Sequence, residues 1–161
     1  MLSNNKIRNI IGYFIVIIIN IFIFFNLRNF DFNLSIPIQY SGDFLSAISV
    51  FKQIMVGEFP FFGIPISYHL ASPFQLEFGD YPLPMMSVWL FIKLIGLFSN
   101  DVFLVINIFI LSTFILNPLA MYFILRRLRI NLFITITIAT LFNVIPFHFF
   151  RIEHIFYIGY F

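Results

Sequence analysis

The chain has no cysteine. That removes disulfides and thiolate metal sites. Charge is also scarce: Asp, Glu, Lys and Arg make up 10% of the 161 residues, and the net charge is +2. A soluble domain of this size needs far more polar surface. So small a positive excess, with no basic stripe interleaved with polar aromatics, argues against a nucleic-acid partner. No Walker motif, Ser-His-Asp pattern or GxGxxG occurs, so nucleotide-driven and hydrolase readings have no support. No internal repeat and no low-complexity linker is visible either.

What the chain has instead is hydrocarbon. It is 61% hydrophobic and contains 26 Phe. Long apolar runs with few charges read as segments dissolved in a bilayer, so membrane lipids are the first expected partner. The run 10–27 (IIGYFIVIIINIFIFFNL) can cross about 30 Å of hydrocarbon at about 1.5 Å per residue. Lys6 and Arg8 precede it. It is too long for a signal peptide and ends in Phe25, Asn26 and Leu27 rather than in a small-residue cleavage site. An uncleaved anchor is expected, with the N-terminus in the cytoplasm. Two further spans are expected at 102–125, with Asn107 and Asn117-Pro118, and at 130–147, between Asn131 and Pro146. The amides Asn20, Asn107 and Asn117 read as interhelical hydrogen-bonding groups. Between the two spans lies RRLR, Arg126 to Arg129, which the positive-inside rule puts in the cytoplasm.

The run 84–98 (PMMSVWLFIKLIGLF) decides the parity of the crossings. If it spanned, the N-terminus and RRLR would lie on opposite faces. It is only about 15 residues long, contains Lys93 and Gly96, and starts among Pro82 and Pro84. That suits an interfacial or re-entrant helix. With it left on the outer leaflet, all seven acidic residues, Asp31, Asp43, Glu58, Glu77, Asp80, Asp101 and Glu153, are extracytoplasmic. A new apolar run begins at Ile155 and stops at Phe161. The expectation is the start of a fourth span, 155–161, and hence an N-terminal piece of something longer. The fold class expected is an all-α polytopic membrane protein of the cytoplasmic membrane: a single membrane domain with about three full transmembrane helices, the start of a fourth, and a long outer loop with juxtamembrane helices.

That extracytoplasmic loop, 28–83, is long for a membrane-protein connection and too aromatic to be disordered. Asp43 follows Gly42 and is placed as a helix N-cap would be. Phe44, Ala47, Ile48, Phe51 and Met55 then recur at helical spacing. They predict an amphipathic helix over 43–56, ended by Gly57 and lying along the outer membrane surface. The Pro- and Gly-rich segment after it presents His69, Glu77 and Asp80 as polar points in an apolar setting.

Three ordered elements carry a family likeness. They are Tyr40, Gly42 and Asp43; the stretch from Pro73 to Asp80; and Pro146, His148, Arg151 and His154. With a cytoplasmic N-terminus and a first span before them, they resemble the N-terminal part of bacterial integral membrane glycosyltransferases of the GT-C fold, of the YfhO-like and lipid-linked-sugar transferase groups. The resemblance covers essentially the whole chain and implies many more spans than it holds. It implies a sugar donor on polyprenyl phosphate, used on the outer face for a cell-envelope acceptor. In that chemistry Asp43 is the candidate catalytic residue. It serves either as a base, its pKa raised by desolvation, or as a ligand holding a divalent cation against the donor phosphate. Arg151 would meet the leaving phosphate, His148 or His154 would donate to it, and Asp80 would join the binding site.

Plainer readings stand beside these. Asp43 can be a simple N-cap. Arg151 can be an interfacial anchor that snorkels to headgroups. His148 and His154 lie six apart, which is not the spacing of a helical metal pair. Glu77 and Asp80 can bind a cation or form a solvated loop edge. At the level of function, two alternatives remain: a non-enzymatic membrane protein such as a lipid-linked-sugar translocase subunit, or a truncated product without activity. A translocase predicts ionisable groups lining a path inside the spans. Only amides stand there.

Overall fold

The computed structural model describes residues 4–40, 43–60, 65–69, 73–74, 76–77 and 86–145. They are mostly helical. The helices are α1 (Asn4–Leu27), α2 (Asp43–Val56), α3 (Met86–Gly96), α4 (Val102–Arg127) and α5 (Leu132–Val144). Strands β1 (Ile66–Ser67) and β2 (Leu76–Glu77) pair antiparallel, with Ile66 opposite Glu77 and Ser67 opposite Leu76.

Helices α1 and α4 are long and apolar enough to cross a membrane. Helix α5 is shorter: its 13 residues rise about 20 Å against the roughly 30 Å of a hydrocarbon layer. Both of its limits have a local cause. Asn131 caps the start, its Oδ1 accepting from the Phe133 N–H at 2.9 Å. Ile145 leaves the helix at φ −57°, ψ 134°, the extended conformation that a following proline requires. Two of the described helices therefore reach the length of a span. Residues 155–161, where a fourth was expected to start, lie outside the described set.

The described residues fall into two compact units: a helical unit of residues 4–32 and 110–145, and a loop unit of residues 33–109. Helix α4 contributes its start to the loop unit and the remainder to the helical unit.

In the helical unit, α1 packs on α5, with Val16, Tyr122 and Ala139 at the centre. Gly12 permits close approach: a Cβ there would meet the Tyr122 hydroxyl at 2.1 Å. Tyr122 donates that hydroxyl to the Asn9 carbonyl at 3.1 Å. Deeper in, Pro118 cannot supply the N–H that would bond the Phe114 carbonyl one turn back. Asn143 Nδ2 supplies a donor instead, 3.0 Å from Phe114 O and 2.9 Å from Asn20 Oδ1. Asn20 Nδ2 in turn donates to Val16 O at 2.8 Å. The expected interhelical role of Asn20 is thus realised, with all these groups buried and bonded. The opposite faces of α1 and α5 expose Phe14, Ile18, Phe133 and Leu141. A patch of that kind needs an apolar cover.

In the loop unit, α2 buries Phe44, Ala47, Val50, Phe51 and Ile54. It packs on α3, which buries Val88 and Ile92, and the Phe51 ring meets Phe109 edge-on at 5.9 Å. The apolar stripe of α2 thus faces protein. Each Phe, Val or Ile side chain so withdrawn from water stabilises by about 1.5–3 kcal/mol, and Ala47 by less. Apolar side chains exposed in this unit include Leu90, Leu94, Leu97 and Phe98 on α3 and just after it, and Leu45 and Val56 on α2.

Candidate functional site

Helix α2 ends in a tight reversal. Gly57 adopts φ +97°, its N–H bonds Ile54 O at 3.3 Å, and the Glu58 N–H bonds Gln53 O at 3.1 Å. These are the two hydrogen bonds of a Schellman cap, and they turn Glu58 off the helix axis. Strand β1 and the residues after it return to meet it. Glu58 Oε1 accepts from His69 Nδ1 and, at 3.2 Å, from the Tyr68 N–H. The Ser67 side chain bonds the same carboxylate. Burial pushes the Glu58 pKa up, but the bonds from Ser67, His69 and Tyr68 outweigh it, and the net displacement is below the ordinary carboxylate range. Next in sequence, Phe59 stacks edge-on against Trp89 at 5.1 Å and accepts from Lys93 Nζ through its carbonyl. The Glu58–Phe59 corner is thereby fastened to α3.

The pair is asymmetric. The Glu58 side chain is 8% exposed and the His69 side chain 68%. A carboxylate that holds Nδ1 leaves Nε2 as the nitrogen available for proton transfer. The same contact also latches the loop.

Asp43, the candidate catalytic residue, is the first residue of α2; its side chain lies outside the described set. Asp43 and Glu58 stand at opposite ends of a 14-residue helix, about 20 Å apart along its axis. They do not form one site. The stretch that precedes α2 has different company. Residues 34–40 run along the start of α4. Asn107 Nδ2 donates to the carbonyls of Leu34 and Ile36, and the Tyr40 ring lies 6.3 Å from Phe103. Asn107 was expected to bond another helix; the structure gives it to the loop backbone. Asp101 caps α4, accepting from the Phe103 N–H at 2.9 Å and the Leu104 N–H at 3.3 Å. Burial raises its pKa, and bonds from Ser35, Leu104 and Phe103 more than offset that, leaving it below the usual range.

The remaining candidates, Asp80, His148, Arg151 and His154, lie outside the described residues. Among the described residues, no three His, Asp or Glu side chains stand close enough together to hold a metal ion. In the sequence Glu58 is one acid among seven, with no motif that pairs it. Its partners sit nine to eleven residues on, across a loop, and no local motif marks that spacing. No protein-family model, curated protein or solved structure matches the chain.

Proposed function

We propose that this chain forms the N-terminal part of a multi-pass glycosyltransferase of the cytoplasmic membrane. It takes sugar from a polyprenyl-phosphate donor on the outer face, and Asp43 is the base or the cation ligand. The observation that supports this is the setting of the stretch just before α2. The helix starts at Asp43, and residues 34–40 just before it are fastened along the first turns of the membrane-length α4. A carboxylate at the head of a packed helix is held more closely than one on a free loop. A lipid-borne phosphate would arrive beside the start of a membrane-crossing helix. In this reading the N-terminus and RRLR are cytoplasmic, 130–147 completes a third crossing, and residues 33–101 lie outside. Asp80, His148, Arg151 and His154 would bind the donor phosphate and sugar.

The test is sugar transfer by membranes containing the protein, supplied with polyprenyl-phosphate sugars. Asp43→Asn keeps the size of the side chain but loses the basic carboxylate. Transfer is expected to fall at least a hundredfold, the usual scale for a general base. Normal transfer by this variant would remove Asp43 from the mechanism.

A further inference from the structure

The helical unit carries a cationic surface that the transferase reading does not use. Residues 4–27 and 110–145 contain Lys6, Arg8, Arg126, Arg127 and Arg129 and no Asp or Glu. The structure gathers them at one end. Arg126 donates to Asn9 Oδ1 from Nε at 3.0 Å and from Nη2 at 2.7 Å, and its Nη1 bonds Ile130 O. Arg126 is therefore structural, and it brings the start of α1 against the α4–α5 turn. Lys6, Arg8, Arg127 and Arg129 remain exposed at that end, among exposed Ile7, Leu128 and Phe133.

Two further features mark that end. Helices α1 and α5 both begin at this end and have no acid in the first turn, so two positive dipole ends, against the one negative end of α4, add to the cations. Lys6 and Arg8 stand at the dipole end that disfavours them. Arg129 sits at φ +59° as the C′ residue of a Schellman cap, with Ile130 N bonded to Leu125 O at 3.1 Å and Arg129 N to Arg126 O at 3.1 Å. Glycine is relaxed in that conformation and an arginine is strained.

We infer that this end of the helical unit binds the headgroup of an anionic phospholipid. The four exposed cations and two helix N-termini would meet the phosphate, and Ile7, Leu128 and Phe133 the acyl chains. Charge complementarity and the interleaved apolar side chains favour a lipid over a soluble anion. The inference rests on the membrane reading of α1 and α4 and not on the transferase reading.

The experiment purifies the full chain in an uncharged detergent and offers phosphatidylglycerol and phosphatidylcholine together. Retained lipid is counted by native mass spectrometry. Preferential retention of phosphatidylglycerol is expected. Its affinity should fall about fivefold per cation removed, in Lys6→Gln with Arg8→Gln and in Arg127→Gln with Arg129→Gln. Arg127→Lys with Arg129→Lys, which keeps the charge, should retain the preference. Equal retention of both lipids, an unchanged preference in both glutamine pairs, or full displacement by inorganic phosphate would overturn the inference. Alkaline carbonate extraction of the same protein separates the two failures: release from membranes defeats the membrane reading itself, whereas firm insertion without lipid preference defeats only this site.

Discussion

A carboxylate as enclosed as Glu58 stays ionised only if its donors outweigh desolvation, and the Ser67, Tyr68 and His69 donors do so. The sign of the pH effect follows. The folded pKa lies below the unfolded value of about 4.3, so the stabilisation is complete above that value and is lost as pH falls through the folded pKa. Amide protection at Tyr68, corrected for intrinsic exchange, is therefore expected to hold at neutral pH and to be lost only as pH falls below the ordinary carboxylate range. Glu58→Gln should be less protected at neutral pH and lose this pH dependence. A variant that keeps the acid transition would assign it to another group, Asp101 first, since its displacement has the same sign. How these carboxylates read in the sequence differs. A capping carboxylate ahead of an apolar run is a local signal, and Asp43 and Asp101 both carry it. The Glu58–His69 contact is not local. It depends on two strands of two residues each, too short to impose an alternating pattern.

At the scale of the element, Pro118 converts a helix defect into a junction. The carbonyl it frees on Phe114 receives Asn143 Nδ2, which also reaches Asn20, so α1, α4 and α5 share one bonded cluster. Asn143→Ala removes the donor from two buried acceptors. Interhelical bonds of this kind average about 0.6 kcal/mol in membrane proteins and reach about 1.7 kcal/mol. The loss here is expected near the upper figure because two acceptors are orphaned together. Pro118→Ala returns an N–H to Phe114 O, so Asn143→Ala should cost less in that background. A double-mutant cycle in detergent unfolding measures the difference, and equal costs in both backgrounds would dissolve the proposed link between proline and amide. Helix α2 was legible because its stripe of Phe44, Ala47 and Phe51 and its Gly57 stop agree. What covers the stripe was not, since periodicity shows a buried face and not its partner. The apolar run 130–147 overstates α5 for a similar reason. Hydropathy counts every apolar residue in the run, whereas the helix obeys the Asn131 cap and the proline after Ile145.

For the whole molecule, the exposed apolar faces of α1 and α5 and the lengths of α1 and α4 point the same way, toward a bilayer. In the proposed topology two crossings would put both ends of residues 33–101 on one side, and Lys6 and RRLR on the other. The native absence of cysteine makes this directly measurable, because each introduced thiol is the only one in the chain. Asp31→Cys and Ser99→Cys are expected to react with a membrane-impermeant maleimide in intact cells. Lys6→Cys and Arg129→Cys should react only after permeabilisation. Labelling of Asp31→Cys and Arg129→Cys alike in intact cells would mean that α4 does not cross. Val144→Cys then tests the third crossing. Helix α5 supplies about 20 Å of the roughly 30 Å required, so the remainder must come from residues flanking it or from a locally thinned bilayer. Labelling from outside shows that the chain completes the passage despite the early helix end. Protection shows that α5 stops within the membrane, which would place the following His148, Arg151 and His154 away from the outer face and remove them from any site shared with Asp43.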